Sequence, residues 1–95
     1  MDITGRGTKS DFMPDISVSF TNNYGDSRQY AIWDLGRDPN SPPVIFNDYL
    51  DSNQSTSPLP VHSNDFGETR VMYQRSDGPQ QVVDNLSDGD SVSME

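Results

Sequence analysis

The chain has 95 residues, 31% of them hydrophobic, with no cysteine and a formal net charge of −9 from 15 acidic and 6 basic residues. Without cysteine it cannot build disulfides, thiolate metal sites, iron–sulfur clusters or a cysteine nucleophile. So negative a surface repels phosphate backbones and anionic lipids, which argues against direct binding to nucleic acid or to membranes. Basic partners and divalent cations are compatible with it.

The apolar residues are few but clustered. Leu, Ile, Val and Phe total 19 residues, a fraction at which highly charged chains often stay disordered. Because they gather in short runs, we expect one small domain with a thin core that a partner or a second copy would help to complete. Residues 1–14 mix charges with Gly, Ser and Thr and predict a flexible N-terminal arm, which leaves 15–95 as the domain. No apolar run suits a signal peptide or a membrane span, so a cytoplasmic location is expected, with secretion by a leaderless route as the open alternative.

The segment 15–36 has the clearest strand pattern in the chain. Its first part alternates Ile, Val and Phe with Ser and Thr, which is typical of a strand with one wet face. Residues 22–27 contain Asn, Gly, Asp and Ser, a composition that favours a turn. A second strand follows at 28–35. We therefore predict a β-hairpin over 15–36 that organises the rest of the fold.

The strand predicted at 28–35 carries apolar residues on both faces. Tyr30 and Ile32 fall on one face, while Ala31, Trp33 and Leu35 fall on the other. Such a strand is either central in a sheet or turns one face toward a partner. The pattern therefore indicates more apolar surface than a thin, one-sided core requires.

The remainder of the chain reads as further short strands separated by turns. In the short piece at 59–61, Leu59 and Val61 each lie beside a proline, which suits the edge of a sheet better than its centre. No segment shows a helical stripe free of Pro and Gly, and turn signals recur about every ten residues. The pattern predicts an all-β fold, a small antiparallel β-sandwich of six to seven short strands. Its general layout resembles immunoglobulin-like or lectin-like sandwiches. The later strands are predicted at 44–50, 59–61, 68–75, 80–86 and 91–95.

The acidic tail has part of the spacing of a calcium-binding loop. With Asp84 as position one, Asp88 and Glu95 fall at positions five and twelve of an EF-hand. Leu86 occupies position three without a side-chain oxygen, and the flanks are predicted strands, so we reject an EF-hand. A looser Ca²⁺ site involving Asp84, Asp88 and Asp90 stays open as the alternative to a plain Asp-Gly turn.

Catalytic patterns are weak. His62 is the only histidine, and no Gly-x-Ser-x-Gly elbow accompanies it. No phosphate-binding loop is present, and a chain this short has little room for a cleft between paired carboxylates. We therefore expect no enzymatic activity and no bound cofactor.

These features favour a non-catalytic protein–protein interaction module. The partner is a foreign protein or a second copy of the chain, contacted through an edge strand or an apolar sheet face. The candidate binding residues are the aromatics Tyr24, Tyr30, Trp33 and Tyr49. One alternative is a carbohydrate-binding, lectin-like module that uses turn aromatics and aspartates, with or without Ca²⁺. A second alternative is an acidic inhibitor that mimics nucleic acid and blocks a basic protein surface.

Overall fold

A computed structural model of the chain describes residues 15–64 and 66–95, and this part contains seven β-strands and no helix. The predicted all-β fold is confirmed, and the strands form two facing sheets as expected for a small sandwich. The predicted N-terminal arm lies outside the described residues. The strands are β1 (Asp15–Asn22), β2 (Arg28–Asp34), β3 (Val44–Leu50), β4 (Leu59–His62), β5 (Glu68–Arg75), β6 (Gln80–Ser87) and β7 (Ser91–Met94).

The sheets differ in size and in strand direction. One has three strands in the order β4-β1-β7, and the other has four in the order β3-β2-β5-β6. The pair β1–β7 is parallel, and the remaining strand pairs are antiparallel. The turn at the β5–β6 connection is tight, as Ser76–Pro79 in the sequence suggests.

The predicted hairpin over 15–36 is wrong. β1 pairs with β4 and β7, whereas β2 pairs with β3 and β5, so residues 22–27 carry the chain from one sheet to the other. The alternation in β1 and the turn residues after it are real. They do not distinguish a hairpin from a crossover, since both connections need a half-buried strand followed by a tight turn.

Asn22 explains why this turn changes sheet. The residue is fully buried, and its side-chain nitrogen donates to the carbonyls of Asp26 (2.9 Å) and Leu50 (2.8 Å). Its side-chain oxygen accepts from the amide of Tyr24 (2.8 Å) and the hydroxyl of Tyr30 (2.9 Å). These four bonds join the end of β1 to the start of β2 and the end of β3.

The core lies between the sheets and is built by alternate residues of the strands. Every second residue of β1 is buried, from Ile16 to Asn22, and β5 follows the same rule. On β2 the buried set is Tyr30, Ile32 and Asp34. The twelve buried apolar residues are Ile16, Val18, Phe20, Tyr30, Ile32, Leu50, Val61, Val71, Tyr73, Leu86, Val92 and Met94.

Each sheet has two edge strands. β4 lies at the edge of the three-stranded sheet, as Pro58 just before it and Pro60 within it predict. β3 and β6 border the four-stranded sheet, and β6 contains a register shift opposite Thr69 and Val71, with Asn85 at φ 60°. Such a bulge twists the strand and redirects its side chains. The described part of the chain holds no helix that could cross a membrane.

Candidate binding face on the four-stranded sheet

The four-stranded sheet turns one face to the core and the other to solvent, and we call the second the outer face. On β2, the side chains of Ala31 and Trp33 point away from the buried Tyr30 and Ile32. Trp33 and Ala31 are only half-buried. The apolar surplus inferred for this strand therefore lies on the outer face.

An apolar row crosses the outer face from edge to edge. Trp33 pairs with Val44 on β3 and with Met72 on β5, and Met72 pairs with Val82 on β6. Paired residues of neighbouring strands share a face, so these four side chains form one line about 14 Å long. Val44 and Val82 are each 53% exposed, while Trp33 and Met72 are half-buried. We call Val44, Trp33, Met72 and Val82 the apolar row.

An amide-lined depression of about 240 Å³ borders one side of the row. Gln29 donates from Nε2 to Oδ1 of Asn47 (2.7 Å), and Gln74 donates to the carbonyl of Gly78 (2.9 Å). Tyr49, which is 65% exposed, pairs with Gln29 at the β3 edge. The depression is lined by Gln29, Ala31, Asn47, Gln74 and Ser76.

A larger depression of about 400 Å³ borders the other side, and we call it the polar depression. Arg70 stands two residues before Met72 on β5, and Asp84 stands two residues after Val82 on β6, so this depression adjoins the apolar row. The outer face thus consists of an apolar centre between two polar hollows. The polar depression is lined by Gly36, Ser63, Asn64, Glu68, Thr69, Arg70, Asp84 and Asn85.

The structure separates the predicted binding aromatics. Trp33 and Tyr49 lie on the outer face, on adjacent strands. Tyr30 is a correction to the candidate set, because its side chain is fully buried and cannot contact a partner. Its ring fills the core, and its hydroxyl donates to Asn22. Burial raises the pKa of Tyr30 above its ordinary value, because the phenolate would lose its hydration.

Tyr24 has a structural role. The guanidinium of Arg75 lies 3.9 Å from its ring centroid, and that of Arg28 lies 5.0 Å away, so cations cover the ring instead of leaving it open for stacking. Both arginines also bond to Asp77, Arg28 through Nε at 3.2 Å and Arg75 through Nε. These contacts connect the turn at 22–27 and the start of β2 to the end of β5 and the β5–β6 turn.

The same cluster shifts three pKa values. Hydrogen bonding to Asp77 raises the pKa of Arg28 and of Arg75, and the hydrogen bond from Arg75 lowers the pKa of the Asp77 carboxyl. These shifts move each pKa further from neutral pH, so all three groups stay charged across the physiological range.

The aspartates considered for Ca²⁺ are spread over separate tasks. Asp88 accepts from the amide of Ser17 (2.8 Å), and Asp90 accepts from the amide of Ser87 (2.8 Å), so both serve the β6–β7 turn. Asp84 lies apart, in the polar depression. Within residues 15–64 and 66–95, no three acidic or histidine side chains are grouped as a metal site would require. The plain turn is the interpretation that these contacts support.

His62 and Asp34 make structural contacts that hold neighbouring strands and loops of the sandwich together. The carboxylate of Asp34 is fully buried and accepts from the amides of His62 and Arg37, each at 3.0 Å. The imidazole of His62 lies 3.6 Å from Asp15, which is a neighbouring residue of the β1–β4 pair. Asp34 was not singled out from the sequence, where it is one aspartate among 13.

The apolar row was only partly visible in the sequence. The pattern of β2 indicates Trp33, but Val44, Met72 and Val82 lie on three other strands, and no local pattern links them. Their alignment depends on the pairing registers of β2 with β3 and β5, and of β5 with β6. The sequence indicates the row only through an apolar residue on the face of each predicted strand that points away from the core.

Comparisons with known proteins add no relative. No family model, no curated protein and no solved structure matches the chain. The function is therefore inferred from the outer face itself.

Proposed function

We propose that the chain is a non-catalytic module that binds a protein partner through the outer face of the four-stranded sheet. The observation that carries this proposal is the apolar row, which places one apolar side chain from each strand in a single line. Two of them, Val44 and Val82, are more than half exposed although both lie in strands. A contiguous apolar line with polar hollows on both sides is typical of a binding surface.

The row is large enough to contribute to binding. Trp33 lies near its middle, and tryptophan is among the residues that most often dominate an interface. Covering an exposed valine or methionine side chain fully is worth about 1.5–3 kcal/mol. The two polar hollows would form the hydrated rim around that centre.

The charge of the chain favours a basic partner over a second copy. Two copies would bring together surfaces that each carry a formal charge of −9. Next to the row itself, Glu68 and Asp84 line the polar depression. A partner with an apolar centre and a rim of Lys and Arg would complement this arrangement.

The proposal is tested by selecting binders from a displayed peptide library and comparing variants. We expect the selected peptides to combine apolar residues with Lys or Arg, and to bind more weakly as salt increases. Val44→Lys and Val82→Lys should each reduce affinity by about tenfold or more, equivalent to about 1.4 kcal/mol. The matched control is Phe66→Lys, because Phe66 is 87% exposed and lies outside the row.

Two results would contradict the proposal. If the row variants bind as tightly as the wild type and the Phe66→Lys control, the outer face is not the binding surface. If sedimentation shows that the wild-type chain associates with itself and that Val82→Lys prevents this, the partner is a second copy and the charge argument fails.

A further inference from the structure

β3 offers the longest regular sheet edge in the described part of the chain. It has seven residues without proline or glycine, and within residues 15–64 and 66–95 its only partner strand is β2. Its register shift, between Ile32 and Trp33 of β2, falls near its start and leaves 46–50 regularly paired. The edge strands β4 and β7 have four residues each, and a bulge divides β6 near its middle.

Alternate residues of β3 point their backbone hydrogen-bonding groups away from β2. The carbonyl of Gln29 on β2 accepts from the amide of Ser76 just after β5 (2.9 Å), so the backbone of Gln29 faces β5. Tyr49 is paired with Gln29, and in an antiparallel pair the two residues either both face each other or both face away. The amide and carbonyl of Tyr49 therefore point to the open edge, and those of Asn47, two residues earlier, do the same.

The start of β3 follows the same rule. The carbonyl of Pro43 accepts from the amide of Asp34 at the end of β2 (3.0 Å). The carbonyl and the amide of one trans peptide unit point in opposite directions, so the amide of Val44 faces the open edge. Amides at 44, 47 and 49 are thus directed at the edge, where an added strand would pair with them.

Asp48 occupies one of these edge positions. Its Oδ1 accepts from the edge-facing amide of Tyr49 (2.7 Å). Asp48 is paired with Tyr30, whose side chain lies in the core, so the carboxylate lies on the face of the sheet opposite to the apolar row. The side chain is exposed, and a cation brought by a partner could therefore bind it in place of the amide.

The charge at this edge decides which strand fits it. A second copy that paired through β3 would bring its own Asp48 and a further formal charge of −9. A strand with Lys or Arg beside Asp48 would neutralise the carboxylate and release the Tyr49 amide for a backbone hydrogen bond. On the outer face, Tyr49 is 65% exposed and Val44 is 53% exposed, so both suit apolar neighbours.

We propose that β3 binds an extended segment of the protein partner, which joins the four-stranded sheet as a fifth strand. The segment alternates apolar residues, which extend the apolar row on the outer face, with Lys or Arg, which contact Asp48 on the opposite face. In strand addition, backbone hydrogen bonds supply affinity and alternate side chains supply specificity. The inference rests on the proposed function, since it states how the partner of the outer face is held.

The test uses a synthetic peptide of seven residues that alternates Lys and Val and so matches β3 in length. Two methylated forms carry methyl groups on three Val amides or on three Lys amides, and they have the same charge. In an extended strand the amides of neighbouring residues face opposite edges, so only one set can lie against β3. One form should bind about tenfold or more weakly than the unmethylated peptide, and the other should bind equally well.

Hydrogen exchange of the chain provides the second measurement. The amides of Val44 and Asn47 face the open edge and should exchange about tenfold or more slowly when the unmethylated peptide is bound. The amide of Asp48 faces β2, so its exchange should change little. Protection that alternates along β3 distinguishes strand addition from a charged peptide that lies loosely on an acidic surface.

Asp48→Asn tests the charge while keeping an oxygen for the Tyr49 amide. It should reduce the affinity of the Lys–Val peptide about three- to fivefold, since an exposed ion pair is lost. Asp51→Asn is the matched control, because it changes the net charge equally just after β3 ends and should keep the affinity.

Val82→Lys separates this inference from the proposed function, because Val82 lies on β6 at the opposite edge of the sheet. It should weaken the library-selected binders and leave the affinity of the Lys–Val peptide unchanged. The inference is overturned if the peptide does not bind, if both methylated forms bind alike, or if Asp48→Asn and Asp51→Asn have equal affinities. It is also overturned if the wild-type chain dimerises and protects the same amides, since the occupant is then a second copy. If those results accompany a loss of library binders in Val82→Lys, the outer face binds its partner without an added strand.

Discussion

At the scale of single residues, the fold depends on a small set of buried polar groups. Asn22 satisfies all of its side-chain hydrogen-bonding capacity, and one of its partners is the hydroxyl of Tyr30. Tyr30, which the sequence suggests as a binding aromatic, is therefore a core residue. The alternation of β2 separates Tyr30 from Trp33, but only the packing of the second sheet decides which of them is covered.

Tyr30 makes the fold sensitive to alkaline pH. Its pKa is raised above the ordinary value of 10.0 because burial disfavours the phenolate. As the pH rises, the Tyr30 hydroxyl therefore loses its proton in the unfolded chain before it does so in the folded chain. The free energy of unfolding keeps its full value below pH 10 and decreases as the pH rises above 10. We expect the urea midpoint of the wild type to decrease above pH 10 more steeply than that of Tyr30→Phe.

Tyr49→Phe is the control for this experiment, since Tyr49 is 65% exposed. It should show the same alkaline slope as the wild type. Equal slopes for the wild type and Tyr30→Phe would mean that Tyr30 does not link folding to pH.

At the scale of elements, the sheet edges differ in how they are protected. β4 is short and contains Pro60, and β6 is bulged with Asn85 at positive φ. β3 has seven residues without proline or glycine, and its one charged residue is Asp48, whose Oδ1 accepts from the amide of Tyr49 (2.7 Å). A charge on an edge strand opposes pairing with another chain.

Replacing that charge should promote association. We expect Asp48→Thr to populate dimers or larger species at concentrations where the wild type does not, because it removes the charge and frees an amide on an edge strand. The measurement is sedimentation velocity over a concentration series. Asp51→Thr changes the net charge equally just after β3 ends, and it should behave like the wild type. If the two variants associate equally, Asp48 has no special role at the edge.

At the scale of the whole molecule, the chain itself connects the two sheets repeatedly. It passes from one sheet to the other between β1 and β2, between β3 and β4, between β4 and β5, and between β6 and β7. In the turn between β6 and β7, Asp88 and Gly89 bond to the backbone amide and carbonyl of Ser17 on β1, each at 2.8 Å. Some aspartates that the sequence suggests as acidic surface groups therefore accept hydrogen bonds from backbone amides.

The remaining acidic groups give the molecule an excess of negative charge that salt should relieve. Its ion pairs within the described residues are mostly exposed, so screening them costs little. Screening the repulsion of a net charge of −9 should therefore raise Tm as NaCl is added. A gain of about 1 kcal/mol corresponds to about 4–8 °C for a domain of this size.

The variant Asp51→Asn/Glu95→Gln reduces the net charge from −9 to −7 without removing an ion pair. It should be more stable than the wild type at low salt and should respond less to NaCl. A Tm that falls with added NaCl would show that attractive pairs outweigh the net repulsion.

The sequence by itself determined the class of the fold and most strand positions. Alternation and turn residues are local, so the strands Val44–Leu50 and Glu68–Arg75, the proline-marked edge at β4 and the β5–β6 turn followed directly from it. It also identified Trp33 and Tyr49 as surface candidates and excluded cysteine chemistry.

Only the tertiary structure decided which strands pair and which faces are covered. The crossover at 22–27, the burial of Tyr30 and the line from Val44 to Val82 all depend on registers between strands that are distant in sequence. The polar depression depends on them too, since it joins Gly36, Thr69 and Asp84. Pairing register is set by packing over the whole core, and a local pattern is equally compatible with several such arrangements.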